Sequence, residues 1–201
     1  MILGAPYWNE GSRLHVQTNN PTEEQIEKDG LRPYLETCGP TASVNCLDAL
    51  GVDILIECPG MYIPQSEEVL NDFLNDPVNY PRLSKILPGV DPNKVHGNRV
   101  PDYYPLAVAD VFATEGKFYQ VLKWDGIVAE LKEGHAVQIC IKVPGHYLAA
   151  VAYDDATEEI IYHDSWPKRT KTNGFALRMK RGEYDSNVKD CVVVYTGKKA
   201  V

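Results

Sequence analysis

An α+β fold is what this sequence predicts, from two observations. Up to Gly134 the chain carries segments of helical period broken by turn formers. After Gly134 it becomes short runs of β-branched and aromatic residues separated by turn signals. Helices first and an antiparallel sheet second is an α+β pattern. The size agrees: 201 residues, 44% hydrophobic and 24% charged, are ordinary for a soluble globular chain. At that length roughly 70% of the unfolded surface is buried on folding, so the core needs no metal or disulfide staple. The chain reads as one domain over residues 1–201, with a helical lobe at about 1–134 and a sheet lobe at about 135–201.

The elements follow in order. Asn19-Asn20-Pro21 and Asp29-Gly30 interrupt the first third, leaving room for a short helix at 22–28, capped by Thr22 with Gln25 three residues on. Residues 38–50 read as a helix because Ala42, Cys46, Leu47 and Leu50 fall at helical spacing and Gly51 supplies the stop. Pro40 is tolerated there because it lies in the first turn. A second helix is expected at 66–75, with Glu67 and Glu68 well placed for its dipole. Prolines 77, 81, 88, 92 and 101 make the following stretch irregular. A third helix is expected at 105–114, opened by Pro105 and closed by Gly116, and a fourth is capped by Asp125 and stopped by Gly134. Strands are expected at 136–143, 146–153, 159–163, 174–180 and 191–196.

Composition excludes several functions. A net charge of −8 is a poor basis for non-specific nucleic-acid binding. No run approaches the roughly 18 apolar residues of a membrane span. Met1-Ile2-Leu3-Gly4-Ala5-Pro6 is too short for a signal h-region, so a cytoplasmic protein is expected. The five cysteines are odd in number and show no Cys-x-x-Cys spacing. Free thiols are therefore expected, and no metal. No Gly-x-x-x-x-Gly-Lys loop is present, and no nucleotide or other cofactor is expected.

The chemistry centres on Thr37-Cys38-Gly39-Pro40-Thr41. A cysteine at a helix start meets unpaired amides and the positive end of the dipole, which favour an anion and so a thiolate. Gly39 lets a substrate approach the backbone closely. A thiolate nucleophile needs a proton carrier. Of the five histidines, His146 stands out because it opens a strand directly after Pro144-Gly145, where the glycine leaves room for a partner; His163, also near a strand end, is its competitor. An orienting carboxylate is available in Asp164. If 146–153 and 159–164 form a hairpin with Tyr153 facing Glu159, then Leu148 faces Asp164. His146 is then the diagonal neighbour of Asp164 on the same face, and His163 points away. A register one residue off puts His146 and Asp164 on opposite faces.

Three segments are shared with a known family: His15-Val16-Gln17-Thr18-Asn19-Asn20-Pro21, Thr37-Cys38-Gly39-Pro40-Thr41-Ala42-Ser43, and Gly145-His146-Tyr147-Leu148-Ala149-Ala150-Val151 with Asp164-Ser165-Trp166. Through them the sequence resembles the papain-like cysteine peptidases, in the branch typified by the double-glycine leader peptidases of bacteriocin exporters and their stand-alone relatives. The resemblance implies a papain-like fold, with Cys38 at a helix N-terminus packed on the antiparallel sheet. It implies Cys38 as nucleophile, His146 as general base and then acid, and Asp164 as the residue that orients His146. It also implies that Gln17, with the backbone amide of Cys38, stabilises the oxyanion; Gln25 and the nearby asparagines are rival donors. Gly39, Gly145 and Trp166 are the candidate substrate contacts. The expected partner is a peptide or peptidoglycan peptide, as for a bacterial or phage enzyme acting on cell-wall peptides or on a peptide leader. A phage lysin would be released to the cell wall. Two rival readings stand beside the hydrolase: an acyltransferase or transglutaminase-like enzyme with the same triad, and a catalytically silent binding module.

The remaining features read as structural. Cys46, Cys140 and Cys191 fall in apolar elements and are expected to be core thiols, whereas Cys58 is expected in a loop, as the candidate for a second reactive thiol. Trp124 is expected to pack in the core, and His135 to be an exposed loop histidine. Lys168, Arg169 and Lys171 form a basic loop expected to be solvated.

Overall fold

The computed structural model describes residues 1–9, 28, 38–51, 56–58, 61–63, 115–119, 122–143, 145–166 and 171–195. Among these, nine strands and three helices make an antiparallel α+β fold, as the sequence predicts. The strands are β1 (Ile2–Gly4), β2 (Ile56–Cys58), β3 (Met61–Ile63), β4 (Glu115–Tyr119), β5 (Ala136–Ile141), β6 (His146–Asp154), β7 (Glu159–Asp164), β8 (Leu177–Lys180) and β9 (Val188–Tyr195). The helices are α1 (Cys38–Ala49), α2 (Trp124–Lys132) and α3 (Arg181–Asn187). The main sheet has seven strands in the order β4-β9-β5-β6-β7-β8, and β1 also pairs with β6. β2 and β3 form a separate hairpin.

β6 is the central strand. β5 pairs with its first half, from His146 to Ala150, and β1 with its second, from Ala152 to Asp154, while β7 runs along the other edge. The small residues Ala149, Ala150, Val151 and Ala152 are fully buried and let helices approach both faces of this strand. On one face, Trp124, Ile127 and Leu131 of α2 share a core with Val137, Ile139, Leu148, Ala150 and Ile160. On the other, Gln138 of β5 meets Ser43 of α1.

α1 lies along β6. Its start reaches His146, and at its far end the Ala49 carbonyl accepts from the Tyr7 amide, just past the point where Ala5 N bonds Val151 O. Twelve helical residues span about 18 Å, close to the roughly 17 Å from position 146 to 151 of an extended strand. Every residue from Thr41 to Leu50 is buried, so α1 is a helix enclosed on all sides rather than an amphipathic surface helix. It stops where predicted. Gly51 adopts φ +70, a left-handed backbone that favours glycine, and an added Cβ would press on the Tyr7 ring.

Several expectations change. The predicted strand ends move by a few residues, and two strands of the main sheet, β1 and β4, come from the part of the chain read as helical. Gly116 does not close a helix; it pairs with Val194 inside β4. The N-cap of α2 is Lys123, with no side-chain cap bond, and Asp125 lies inside the first turn, where its charge still suits the dipole. α3 was not foreseen. The helices expected at 66–75 and 105–114 lie outside the described residues, as does all but Lys28 of that at 22–28. No described helix is long and apolar enough to cross a membrane.

The β6–β7 register is the most informative difference. Leu148 does face Asp164, as predicted, but Tyr153 pairs with Ile160 and not with Glu159. The two ends of the hairpin differ by one residue, and a bulge between Ala150 and Ala152 absorbs the difference. An extra residue in one strand reverses the inward–outward alternation beyond it. The bulge therefore lets the turn end take its own register while the opposite end keeps the one that puts His146 and Asp164 on the same side.

Candidate active site

At the open end of β6, three side chains from three elements come together: Cys38 from the first residue of α1, His146 from the first of β6, and Asp164 from the last of β7. The turn into β6 explains how His146 is aimed. Gly145 adopts φ +84, a left-handed conformation that costs other residues strain, and an added Cβ would meet nothing closer than 4.0 Å. The glycine is needed for its backbone angle, not for the room it leaves. The same turn is tied to α3: Asn187 takes the Lys142 amide on its backbone carbonyl at 2.8 Å and the Val143 amide on Oδ1 at 3.2 Å.

Asp164 is fully buried, and a carboxylate survives there only with partners. Its Oδ1 accepts from His146 Nε2 at 2.8 Å and from the Trp166 amide at 2.8 Å, and its own amide donates to Gly174 O. Because an ionised carboxylate can only accept, Nε2 carries the hydrogen, which leaves Nδ1 to face the thiol. Burial lowers the proton affinity of His146. Hydrogen bonds to Asp164 and Cys38, with attraction to both charges, outweigh that and raise it above the ordinary 6.5. The Trp166 ring stands edge-on to the imidazole with centroids 6.0 Å apart, and Trp166 is half-buried, so it both packs against His146 and borders solvent.

Cys38 is partly exposed, while Cys46, Cys140 and Cys191 are buried, in line with their expected core roles. Burial pushes the Cys46 thiol far up, so it stays protonated and inert. As the first helical residue, Cys38 has an amide with no partner within the helix. Gly39 is buried beside it. Cys58, expected in a loop, ends β2 and pairs with Met61 of β3; its side chain, Gln17 and Gln25 lie outside the described residues.

His163 faces away from this cluster. It pairs with Ala149, donates from Nε2 to Trp8 O at 3.1 Å, and accepts the Ala176 amide on Nδ1 at 3.2 Å. Phe175 stacks on its ring at 4.6 Å. His135 is not the exposed histidine expected; it bonds Glu130 at 2.7 Å and is 14% exposed. Glu130, Glu133 and His135 form the one group among the described residues with metal-ligating spacing, but Glu133 is exposed and the Glu130–His135 pair already satisfies the other two. Trp124 packs edge-on against Tyr153 and Tyr184 in the core, as expected.

Two features of the surroundings were missed in the sequence. One is the clamp by Asn187. The other is the contact of Ser43 with Gln138, which no motif or spacing signals. Comparison with family models finds that the Peptidase_C39 like family matches residues 14–187. Comparison with curated proteins finds no match.

Proposed function

The chain belongs to the Peptidase_C39 like family, which makes it a cysteine peptidase, and from that premise we propose that it cleaves a peptide bond through Cys38, His146 and Asp164. The observation that carries this reading is the buried 2.8 Å bond of His146 to Asp164, with the Cys38 thiol near enough to the same imidazole to help raise its proton affinity. Asp164 holds the tautomer. His146 takes the Cys38 proton, and the thiolate attacks the scissile carbonyl carbon. The oxyanion forms beside the amide of Cys38 at the start of α1, and Gln17 is the side-chain donor we assign there. As the tetrahedral carbon collapses, His146 returns its proton to the leaving amine and a thioester remains. Water, deprotonated by His146, then attacks the thioester, releases the acid and restores the thiol.

Gly39, Gly145 and Trp166 border the path of the peptide. The substrate class is a peptide segment of bacterial or phage setting, a leader or a cell-wall peptide, and the enzyme works in a papain-like arrangement. The test is cleavage of a proteome-derived peptide library, read as new N-termini by mass spectrometry. The wild type produces them, and Cys38→Ala produces none. Cleavage that persists in Cys38→Ala overturns the assignment, and ligation of added amines in place of hydrolysis makes the enzyme a transferase.

A further inference from the structure

Below the first turn of α1, Ser43 Oγ lies 2.6 Å from Gln138 Oε1 and 3.2 Å from the Gly39 carbonyl, with both side chains fully buried. A hydroxyl has one proton, so it cannot donate to both oxygens. In the same arrangement Gln138 Nε2 is buried with no partner among the described residues, a costly state for a donor. A half-turn of the terminal amide gives the hydroxyl a donor and a single acceptor, and leaves Oε1, an acceptor, in the position the buried donor held. Nε2 then donates to Ser43 Oγ, and Ser43 donates to Gly39 O.

We propose that Gln138 and Ser43 form this donor chain and act as positioning residues for Cys38. The chain runs from the middle of β5, in the rigid sheet, to the carbonyl of the residue that follows Cys38. It fixes the tilt of the first helical turn relative to the strands that carry His146 and Asp164. The proposal rests on the catalytic reading above, because what the chain positions is the thiol that meets His146.

The test is the rate of Cys38 alkylation by iodoacetamide across pH, mapped by mass spectrometry. On the catalytic reading above, proton transfer from Cys38 to His146 sustains alkylation of the wild type near pH 6. Ser43→Ala should slow alkylation at pH 6 by about 5- to 10-fold, leave the plateau near pH 10 within about 2-fold, and change Tm little. Gln138→Met should do the same, and the double variant should lose no more than the stronger single one, since both break one chain. Ser43→Thr, which keeps the hydroxyl, should restore most of the rate at pH 6. A Tm drop with an unchanged pH profile makes the pair merely structural and overturns the proposal; so do fully additive losses. His146→Ala separates this failure from that of the catalytic reading. If His146→Ala flattens the wild-type profile while Ser43→Ala does not, only the positioning role falls. If His146→Ala changes nothing, both fall.

Discussion

His146 and His163 sit on neighbouring strands, both buried, both hydrogen-bonded, and their proton affinities move in opposite directions. Burial lowers both. The neighbours decide the rest. His146 faces a carboxylate and a thiol, and these raise it above 6.5. His163 faces a carbonyl, an amide and the Phe175 ring, with only the Trp8 carbonyl to offset burial, and is pushed down to about 4. One imidazole is built to hold a proton more tightly than a free one, the other to remain neutral as a brace between the N-terminal segment and β7. Burial alone does not mark a functional histidine; the charge of its partners does.

The largest expected effect breaks the comparison outright. His146→Ala should reduce peptide cleavage on the order of 10⁴-fold or more. His163→Gln should leave kcat within about 3-fold, because the His163 ring contacts the Trp8 carbonyl, the Ala176 amide and Phe175 and not the cluster. Steady-state rates on one peptide check both. Asp164→Asn comes next. The amide keeps an acceptor for His146 Nε2 and for the Trp166 amide but removes the charge. The proton affinity of His146 should fall, and Cys38 alkylation at pH 6 should slow by about 10- to 100-fold.

Stability against pH sharpens the contrast, because the two histidines have opposite signs. His146 binds its proton more tightly folded than unfolded. It therefore adds stability below pH 6.5, which is lost as pH rises through its raised folded value. His163 does the reverse. The unfolded chain takes up a proton near 6.5 and the folded one only near 4, so stability is fully present above 6.5 and falls as pH drops toward 4. That interval corresponds to about 3 kcal/mol. Denaturant melts at pH 7.5 and 4.5 should show a drop that is largely absent in His163→Gln. The smallest effect is at Gly145. Gly145→Ala places a side chain at φ +84 in open space, so the cost is backbone strain of about 1–2 kcal/mol, read as a lower Tm.

Much of this comparison is legible in the sequence, and the exceptions have physical reasons. The spacing of 146–153 and 159–164 predicts Leu148 opposite Asp164, and that pairing holds only because the bulge offsets a register one residue away from the predicted one at the turn. The bulge at Val151 is hidden in Ala149-Ala150-Val151-Ala152, where no glycine marks an irregular backbone and the strand is buried on both faces. β1 is three residues long and gains its place only by pairing with β6. β4 was masked by Gly116, which reads as a helix stop until β9 is known to lie beside it. α3 is seven mostly polar residues with one buried side chain, Tyr184, too little for a periodic signal. Cys38 was legible because Gly39-Pro40 and the apolar spacing place it at a helix start. Ser43 and Gln138 were not, since their contact exists only once α1 lies on the sheet.

The most direct test of the account is an NMR titration of the imidazole ring protons in wild type and Cys38→Ala. The opposed surroundings of the two histidines predict that His146 titrates above 6.5 and His163 near 4, and that removing the Cys38 thiol lowers His146 while leaving His163 in place. Both histidines titrating together near 6.5, or a His146 value indifferent to Cys38→Ala, would contradict it.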